Sequence, residues 1–227
     1  MQLENSVALV TGANRGLGRH LAAELVRRGA KVYAAARRPE TIDLPGVIPV
    51  RLDITDPESV AQAAKTAEDA TLVINNAGTS LGADLLTGDL DEIRREMETH
   101  YFGTLAVTRA FAPVLERNGG GAVLNVLSVL SWLHPGPFGA YSAAKAAEWA
   151  QSNALRDLLA PRGIAVSALH VGFMDTDMAA GVPAEQKIDP ALVATMALDG
   201  VAAGRPEILA DDLSRTVKAG LATALQG

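Results

Sequence analysis

A doubly wound, parallel α/β sheet with helices on both faces, three layers in all, is the fold that this 227-residue sequence predicts. Three observations carry the prediction. Short apolar runs alternate with stretches of helical periodicity, as strands buried on both faces do. The first run ends in a glycine-rich turn that opens a helix. Polar residues gather where the strands end, the edge at which open α/β sheets bind ligands.

Residues 6–10, SVALV, form the first strand. Leu17, Leu21 and Leu25 then recur at helical spacing until Gly29 stops the helix. KVYAAA (31–36) and VIPVRLDI (47–54) are strands. Asp56-Pro57 supplies a cap and a first-turn proline for a helix running to about Asp69. TLVIN (71–75) is a buried strand. From Asp89 a long helix is expected, with Ile93, Met97, Tyr101, Leu105 and Thr108 on one face. AVLNVL (122–127) is a strand, 141–160 a helix and IAVSALHV (164–171) a strand. Asp189-Pro190 opens a further helix, and EIL (207–209) is an edge strand. No composition break divides the chain, so one domain over 1–227 is expected, with 172–190 as a mobile cover over the substrate.

Composition narrows the function. The formal charge is −6 and no Lys/Arg run exceeds two, which argues against nucleic acid as a partner. The first residues lack a signal-peptide pattern, and the most apolar stretch, 122–133, is too short to span a bilayer. With no cysteine, neither disulfides nor thiolate metal sites arise. A cytoplasmic protein without a membrane or metal partner is the expectation.

TGANRGLG (11–18) places Gly12, Gly16 and Gly18 between strand and helix. Side chains there would hold a pyrophosphate away from the backbone, while the helix start offers free N–H groups. Asn14 and Leu17 belong to the same turn. The next strand ends at Ala35-Ala36-Arg37-Arg38, without the carboxylate that holds an unphosphorylated ribose. A guanidinium grips a 2′-phosphate with paired hydrogen bonds, so Arg37, joined by Arg15, points to NADP(H).

Ser128 ends the fifth strand. Tyr141 and Lys145 come after it, one turn apart on a helix rich in alanine. A free phenol ionises near pH 10. The neighbouring ammonium and an oxidised nicotinamide ring both favour phenolate, so a lowered Tyr141 pKa is expected. Tyr141 then exchanges a proton with a carbonyl or alcohol oxygen, Ser128 holds that oxygen, and Lys145 holds the nicotinamide ribose.

Together Thr11-Gly12, Gly16 and Gly18, Asn75-Asn76-Ala77-Gly78, Ser128 and Tyr141-x-x-x-Lys145 resemble the short-chain dehydrogenase/reductase family, in its single-domain branch. The resemblance implies a Rossmann-type fold and an NADP(H)-preferring carbonyl reductase or alcohol dehydrogenase, active as a homodimer or homotetramer. It implies that Asp53, with Ile54 beside it, meets the adenine. It places Asn75, Ala77 and Gly78 near the cofactor, and Val171, Gly172 and Thr176 near the nicotinamide. Two positions depart from the family pattern. His100 stands where the family commonly has asparagine, which supports a proton relay from the lysine; the histidine either titrates in that relay or is a satisfied core residue. Val171-Gly172 replaces the usual Pro-Gly, which loosens the turn.

Trp132, Leu133, His134, Phe138, Phe173 and Met174 flank this edge and suggest an apolar or aromatic carbonyl substrate. Two other readings are open. One is a non-catalytic NADP(H) sensor or scaffold on the same fold. The other is a serine hydrolase, because GTSLG (78–82) fits a nucleophile elbow around Ser80.

Overall fold

The structure, a computed structural model, describes residues 1–224. Seven strands form one parallel sheet: β1 (Val7–Thr11), β2 (Lys31–Ala36), β3 (Val47–Arg51), β4 (Leu72–Asn75), β5 (Gly121–Val126), β6 (Ile164–His170) and β7 (Glu207–Leu209). Their spatial order is β3-β2-β1-β4-β5-β6-β7. The direction of winding therefore reverses between β1 and β4, which opens a crevice beyond their carboxyl ends.

The apolar strand runs divide by alternation. Ala8 and Val10 of β1, Leu72 and Ile74 of β4 and Leu124 of β5 enter one core. Leu9, Val73 and Val123 enter the other. The first core is covered by α1 (Gly16–Arg27) and α6 (Pro190–Ala202), the second by α2 (Pro57–Thr66), α4 (Thr104–Arg117) and α5 (Gly139–Leu159). The three layers expected from the strand runs are present. The cap residues also act as expected: Asp56 accepts from Glu58 N at 3.0 Å and Asp189 from Ala191 N at 2.8 Å.

The long helix departs from the expectation. It begins as α3 (Leu90–Met97), widens into a π turn over Glu98–Gly103, and resumes as α4. A π turn inserts an extra residue and so rotates the rest of the helix about its axis. The inward face on both sides of the turn is Glu96, His100, Thr104, Val107 and Phe111; of the expected face only Thr108 is buried, and Ile93, Met97, Tyr101 and Leu105 are half-buried. The third strand ends at Arg51, short of Ile54, because Asp53 turns the chain by accepting from Thr55 N at 3.0 Å. A last helix, α7 (Asp212–Ala224), is an addition to the expected elements; it packs beside β7. Among the described residues no helix is long and apolar enough to cross a membrane.

Phe111 is fully buried on the inner face of α4, among Leu9, Val73 and Val123. Phe111→Ala is expected to lower stability by about 3–5 kcal/mol. Urea unfolding checks this: the midpoint should fall with little change in slope.

Candidate active site

The glycine turn leaves β1 at Thr11. Gly12 and Gly16 both take left-handed backbone, with φ of 65° and 54°. A Cβ on Gly12 would stand 2.9 Å from the Ala77 backbone, and one on Gly18 would collide with the Gly12 carbonyl and Asn76. Gly16 instead borders a cleft of about 400 Å³ that it shares with Asn14, Arg15, Arg19, Thr41 and Thr176. Arg15, the residue before α1, offers no side-chain cap, so the first N–H groups of that helix remain available to an anion. This backbone cradle, with the Arg15 and Arg19 guanidiniums beside it, fits a dinucleotide phosphate. Arg37 stands exposed just past β2 and is not among the residues lining the cleft. The cleft contains three acids, each paired: Arg19 donates to Asp43 at 3.0 Å, Arg15 to Asp177 at 3.3 Å and Lys187 to Asp175 at 3.4 Å.

The turn is locked to β4 by side chains. Asn76 Nδ2 donates to the carbonyls of Thr11 at 2.9 Å and Gly12 at 3.3 Å. Thr11 Oγ1 accepts from the backbone N–H groups of Asn76 and Ala77, both at 2.9 Å. Asn75 braces the sheet, as the resemblance implies for this motif. Its side chain is buried and donates to Thr108 Oγ1 at 3.1 Å and Asn125 Oδ1 at 2.8 Å. It is a brace beneath the sheet edge and does not face the cleft.

Ser128, Tyr141 and Lys145 converge beyond β5. Ser128 Oγ accepts from Leu130 N at 3.1 Å, which curls the chain into a short 3₁₀ turn. The Ser128 carbonyl lies 3.2 Å from His170 Nδ1. Burial holds the His170 pKa down at about 4, so its ring is neutral at pH 7 and the Nδ1–H tautomer donates to that carbonyl. Lys145 is buried; its ammonium donates to the Val126 carbonyl at 2.8 Å and to Glu148 Oε2 at 2.7 Å. Two of its three N–H donors are thus committed and one remains. Burial works against its charge, but Glu148, Tyr141 and Glu96 outweigh that and raise its pKa.

His100 completes the group. It is buried, edge-on to Tyr141 with ring centroids 5.1 Å apart, and its Nε2 lies 2.8 Å from the Thr79 carbonyl. Room for the imidazole comes from Gly78, where a Cβ would stand 2.7 Å from His100 Cε1. His100 is not a fully satisfied core residue, because Nδ1 has no hydrogen-bond partner among the described residues. Two further buried groups escaped the sequence reading: Glu96, 3.4 Å from His100 Nε2, and Glu148, 3.9 Å from His100 Nδ1. Their only signal was spacing, i,i+4 from Glu96 to His100 and i,i+3 from Lys145 to Glu148.

Among the protein's own groups the Tyr141 pKa is raised, whereas the expected lowering counted an oxidised nicotinamide ring as well as Lys145. Desolvation of this half-buried phenol contributes most. The Lys145 ammonium and the Ser128 hydroxyl pull downward, while Glu148 and Glu96 push up.

The remaining expected residues separate. Thr176 faces Gly16, where a Cβ would meet its methyl group at 3.6 Å. Gly172 N donates to Asp211 Oδ2 at 2.5 Å, so the turn that lacks a proline is held from the start of α7. Val171 is buried and its carbonyl accepts from Val129 N at 3.0 Å. Asp53 stands at the sheet edge, and Ile54 is buried against Gly103. Phe138 and Phe173 pair with centroids 6.2 Å apart, Met174 bridges to Ile188, and His134 is exposed. Trp132 does not line this opening: it is buried, stacked on His170 at 3.8 Å and edge-on to Trp149. Ser80 lies exposed in an irregular stretch, and the next α-helix begins only at Leu90, which is not the geometry of a nucleophile elbow.

Comparison with known proteins bears on the family and the fold. Residues 6–187 match the family model described as short chain dehydrogenase. A short-chain dehydrogenase from Burkholderia cenocepacia, crystallised in complex with NADP, superposes with a TM-score of 0.94 at 41% identity, covering 100% of this chain and 96% of that one. The NADPH-dependent 1-acyldihydroxyacetone phosphate reductase of Schizosaccharomyces pombe is 33% identical over 78% of this chain and 62% of its own length. The 3-oxoacyl-(acyl-carrier-protein) reductase of Vibrio cholerae is 30% identical over 90% of this chain and 85% of its own. The chain thus spans less than two thirds of the fission-yeast relative and most of the bacterial ones. On these grounds it belongs to the short-chain dehydrogenase family.

Proposed function

We propose that this chain is an NADP(H)-dependent oxidoreductase that interconverts a ketone or aldehyde with an alcohol. The observation that carries the reading is the convergence of Tyr141, Ser128 and the buried Lys145 at the sheet edge that also holds the glycine turn. The cofactor supplies or accepts the hydride. Tyr141 gives its phenolic proton to the carbonyl oxygen, or takes one from the alcohol. Ser128 Oγ holds that oxygen, and the remaining N–H of Lys145 is free for a ribose hydroxyl. Gly12, Gly16 and the start of α1 take the pyrophosphate, and Arg15 and Arg37 take the 2′-phosphate. The NADP of the Burkholderia protein and the NADPH dependence of the fission-yeast reductase support this choice.

Phe138, Phe173 and Met174 favour an apolar or aromatic carbonyl compound, with residues 172–190 as the cover. The half-buried stripe of Ile93, Met97, Tyr101 and Leu105, with Phe102 half exposed beside it, suits a second copy of the chain. A cytoplasmic homo-oligomer, one domain per chain, completes the proposal.

Absorbance loss from NADPH and from NADH, over a panel of ketones, aldehydes and diketones, tests the reading directly. NADPH turnover is expected; tight binding without turnover across the panel would favour a sensor. Tyr141→Phe should keep cofactor affinity and lose about 10²–10⁴-fold in kcat. Near-normal kcat in that variant would sink the proton-transfer role. Arg37→Asp should shift preference toward NADH, visible as a reversed ratio of kcat/KM for the two cofactors. Unchanged selectivity would contradict the assignment of Arg37.

A further inference from the structure

We propose that Lys218 and Glu207 are positioning residues for Ser128: from outside the site they clamp the Trp132–His170 stack, whose far end holds the Ser128 carbonyl. The inference rests on the reading of Ser128 as the group that holds the substrate oxygen.

The clamp closes around two indoles. His170, at the end of β6, is fully buried, and its ring stacks on that of Trp132 at 3.8 Å with an interplanar angle of 18°. Trp132 directly follows the short 3₁₀ turn over Val129–Ser131 and stands edge-on to Trp149 of α5 at 5.8 Å. The Lys218 ammonium of α7 lies over both indoles, 4.7 Å from the Trp132 centroid and 5.2 Å from that of Trp149. Glu207 of β7 ties the ends together: its carboxylate accepts from Lys218 Nζ at 2.9 Å and from Trp149 Nε1 at 3.1 Å. Burial works against the Glu207 charge, but the Lys218 ammonium and the Trp149 N–H outweigh it and lower its pKa. With side-chain exposures of 32% and 24%, Lys218 and Glu207 are screened less than a fully exposed pair.

The stack needs such a clamp because hydrogen bonds fix it at one end only. His170 Nδ1 reaches the Ser128 carbonyl at 3.2 Å, whereas His170 Nε2 and Trp132 Nε1 are buried without a partner among the described residues. Two unpartnered polar atoms favour any movement that would let them find one. Ring contacts and the attraction of an ammonium for an indole hold the stack instead, and that attraction is stronger out of water. Lys218 acts from a fixed frame. Asp211, just before α7, accepts from Gly172 N and from Ser214 N, and Arg215 Nη1 donates to the Leu209 carbonyl at 2.9 Å.

At the far end, the Ser128 carbonyl also accepts from Ser131 N at 3.0 Å, and Ser128 Oγ from Leu130 N at 3.1 Å. A shift of this peptide therefore moves the 3₁₀ turn and re-aims the hydroxyl. A donor that holds a reacting oxygen works only at hydrogen-bond distance from it, so a small displacement costs rate. This separates a positioning role from a structural one. A residue that acts through Ser128 has nothing left to act on once Ser128 is alanine, whereas a residue that only supports the fold lowers activity in either background.

The test compares Lys218→Met, which keeps an unbranched stem without the charge, with Lys218→Arg, whose guanidinium keeps the charge and stacks on aromatic rings. In the carbonyl reduction assay Lys218→Met should lower kcat roughly three- to tenfold, less than the loss of about 10²–10³ for removing an oxyanion donor. KM for NADPH should stay unchanged, and Lys218→Arg should recover most of the rate. In a Ser128→Ala background, Lys218→Met should change kcat by less than about twofold. An equal loss in both backgrounds overturns the proposal. A second measurement needs neither cofactor nor turnover. The full chain is labelled with ¹³C at the serine carbonyls and observed by nuclear magnetic resonance, with Ser128→Ala assigning the signal. The Ser128 resonance should move in Lys218→Met and return toward its wild-type position in Lys218→Arg; a resonance that stays in place in Lys218→Met refutes the clamp. Should Lys218→Met not fold, Glu207→Gln keeps an acceptor for Trp149, removes the charge that anchors Lys218 and should move the same resonance. A chain that reduces no carbonyl refutes the oxidoreductase reading, and the resonance still decides whether the clamp sets Ser128.

Discussion

Thr11 and Asn76 bridge the one place where the sheet pulls apart. The chain leaves β1 and β4 toward opposite faces, so two adjacent strand ends lose the neighbours that would continue their ladder. Unpaired backbone groups in such a crevice would be costly. The Asn76 amide reaches across to the Thr11 and Gly12 carbonyls, and the Thr11 hydroxyl takes the N–H groups of Asn76 and Ala77. The crevice thereby keeps a defined width, and the glycine turn is held where its N–H groups face the cleft. Asn76 can reach Gly12 only because Gly18 has no Cβ to block it.

The same economy of polar groups runs under the sheet edge to the Tyr-bearing helix. Asn75 donates to Asn125, Asn125 to Ser152, and Ser152 to the Glu148 carbonyl. All four are buried. A buried polar chain of this kind is costly if any link is missing and directional when complete. It ties the ends of β4 and β5 to the middle of α5, one turn beyond Lys145. Thr108, which also receives Asn75, brings α4 into the same frame. The position of Lys145 is thus set by the sheet through side-chain bonds, in addition to the packing of an alanine-rich helix.

Local chemistry explains what was legible in the sequence. Strands buried on both faces are apolar at most positions, so β1, β2, β4, β5 and β6 are plain as runs, and Asp56 and Asp189 announce their helices. The glycine turn and the Tyr141/Lys145 pair are legible because backbone approach and charge tuning demand those residue types at those spacings. What stays hidden depends on the third dimension. The π turn has no residue signature, and neither has the facing of α3, which turns Glu96 inward and leaves Met97 half-buried. A glutamate in a helix is usually solvated, so spacing alone could not mark Glu148 as buried. Trp132 comes soon after Ser128 in sequence, but the 3₁₀ turn between them rotates it inward onto His170. The short α7 carries Gly220 within it, which weakens its helical signal.

His100 is one member of a set of buried polar groups. An imidazole is larger than a carboxamide and has to be accommodated. Gly78 leaves the space above it, and the widened π turn brings it there. Once buried, the ring needs polar company, which Thr79 supplies to Nε2 and the two glutamates supply at longer range. Glu148 in turn would be untenable without Lys145 and Thr104. Each member lowers the free-energy cost of the next, so replacing His100 alone would leave two fixed carboxylates facing each other across a gap. That coupling ties the ionisable groups near Tyr141 to the fold of the α3–π–α4 segment, so their placement is built by packing along that segment.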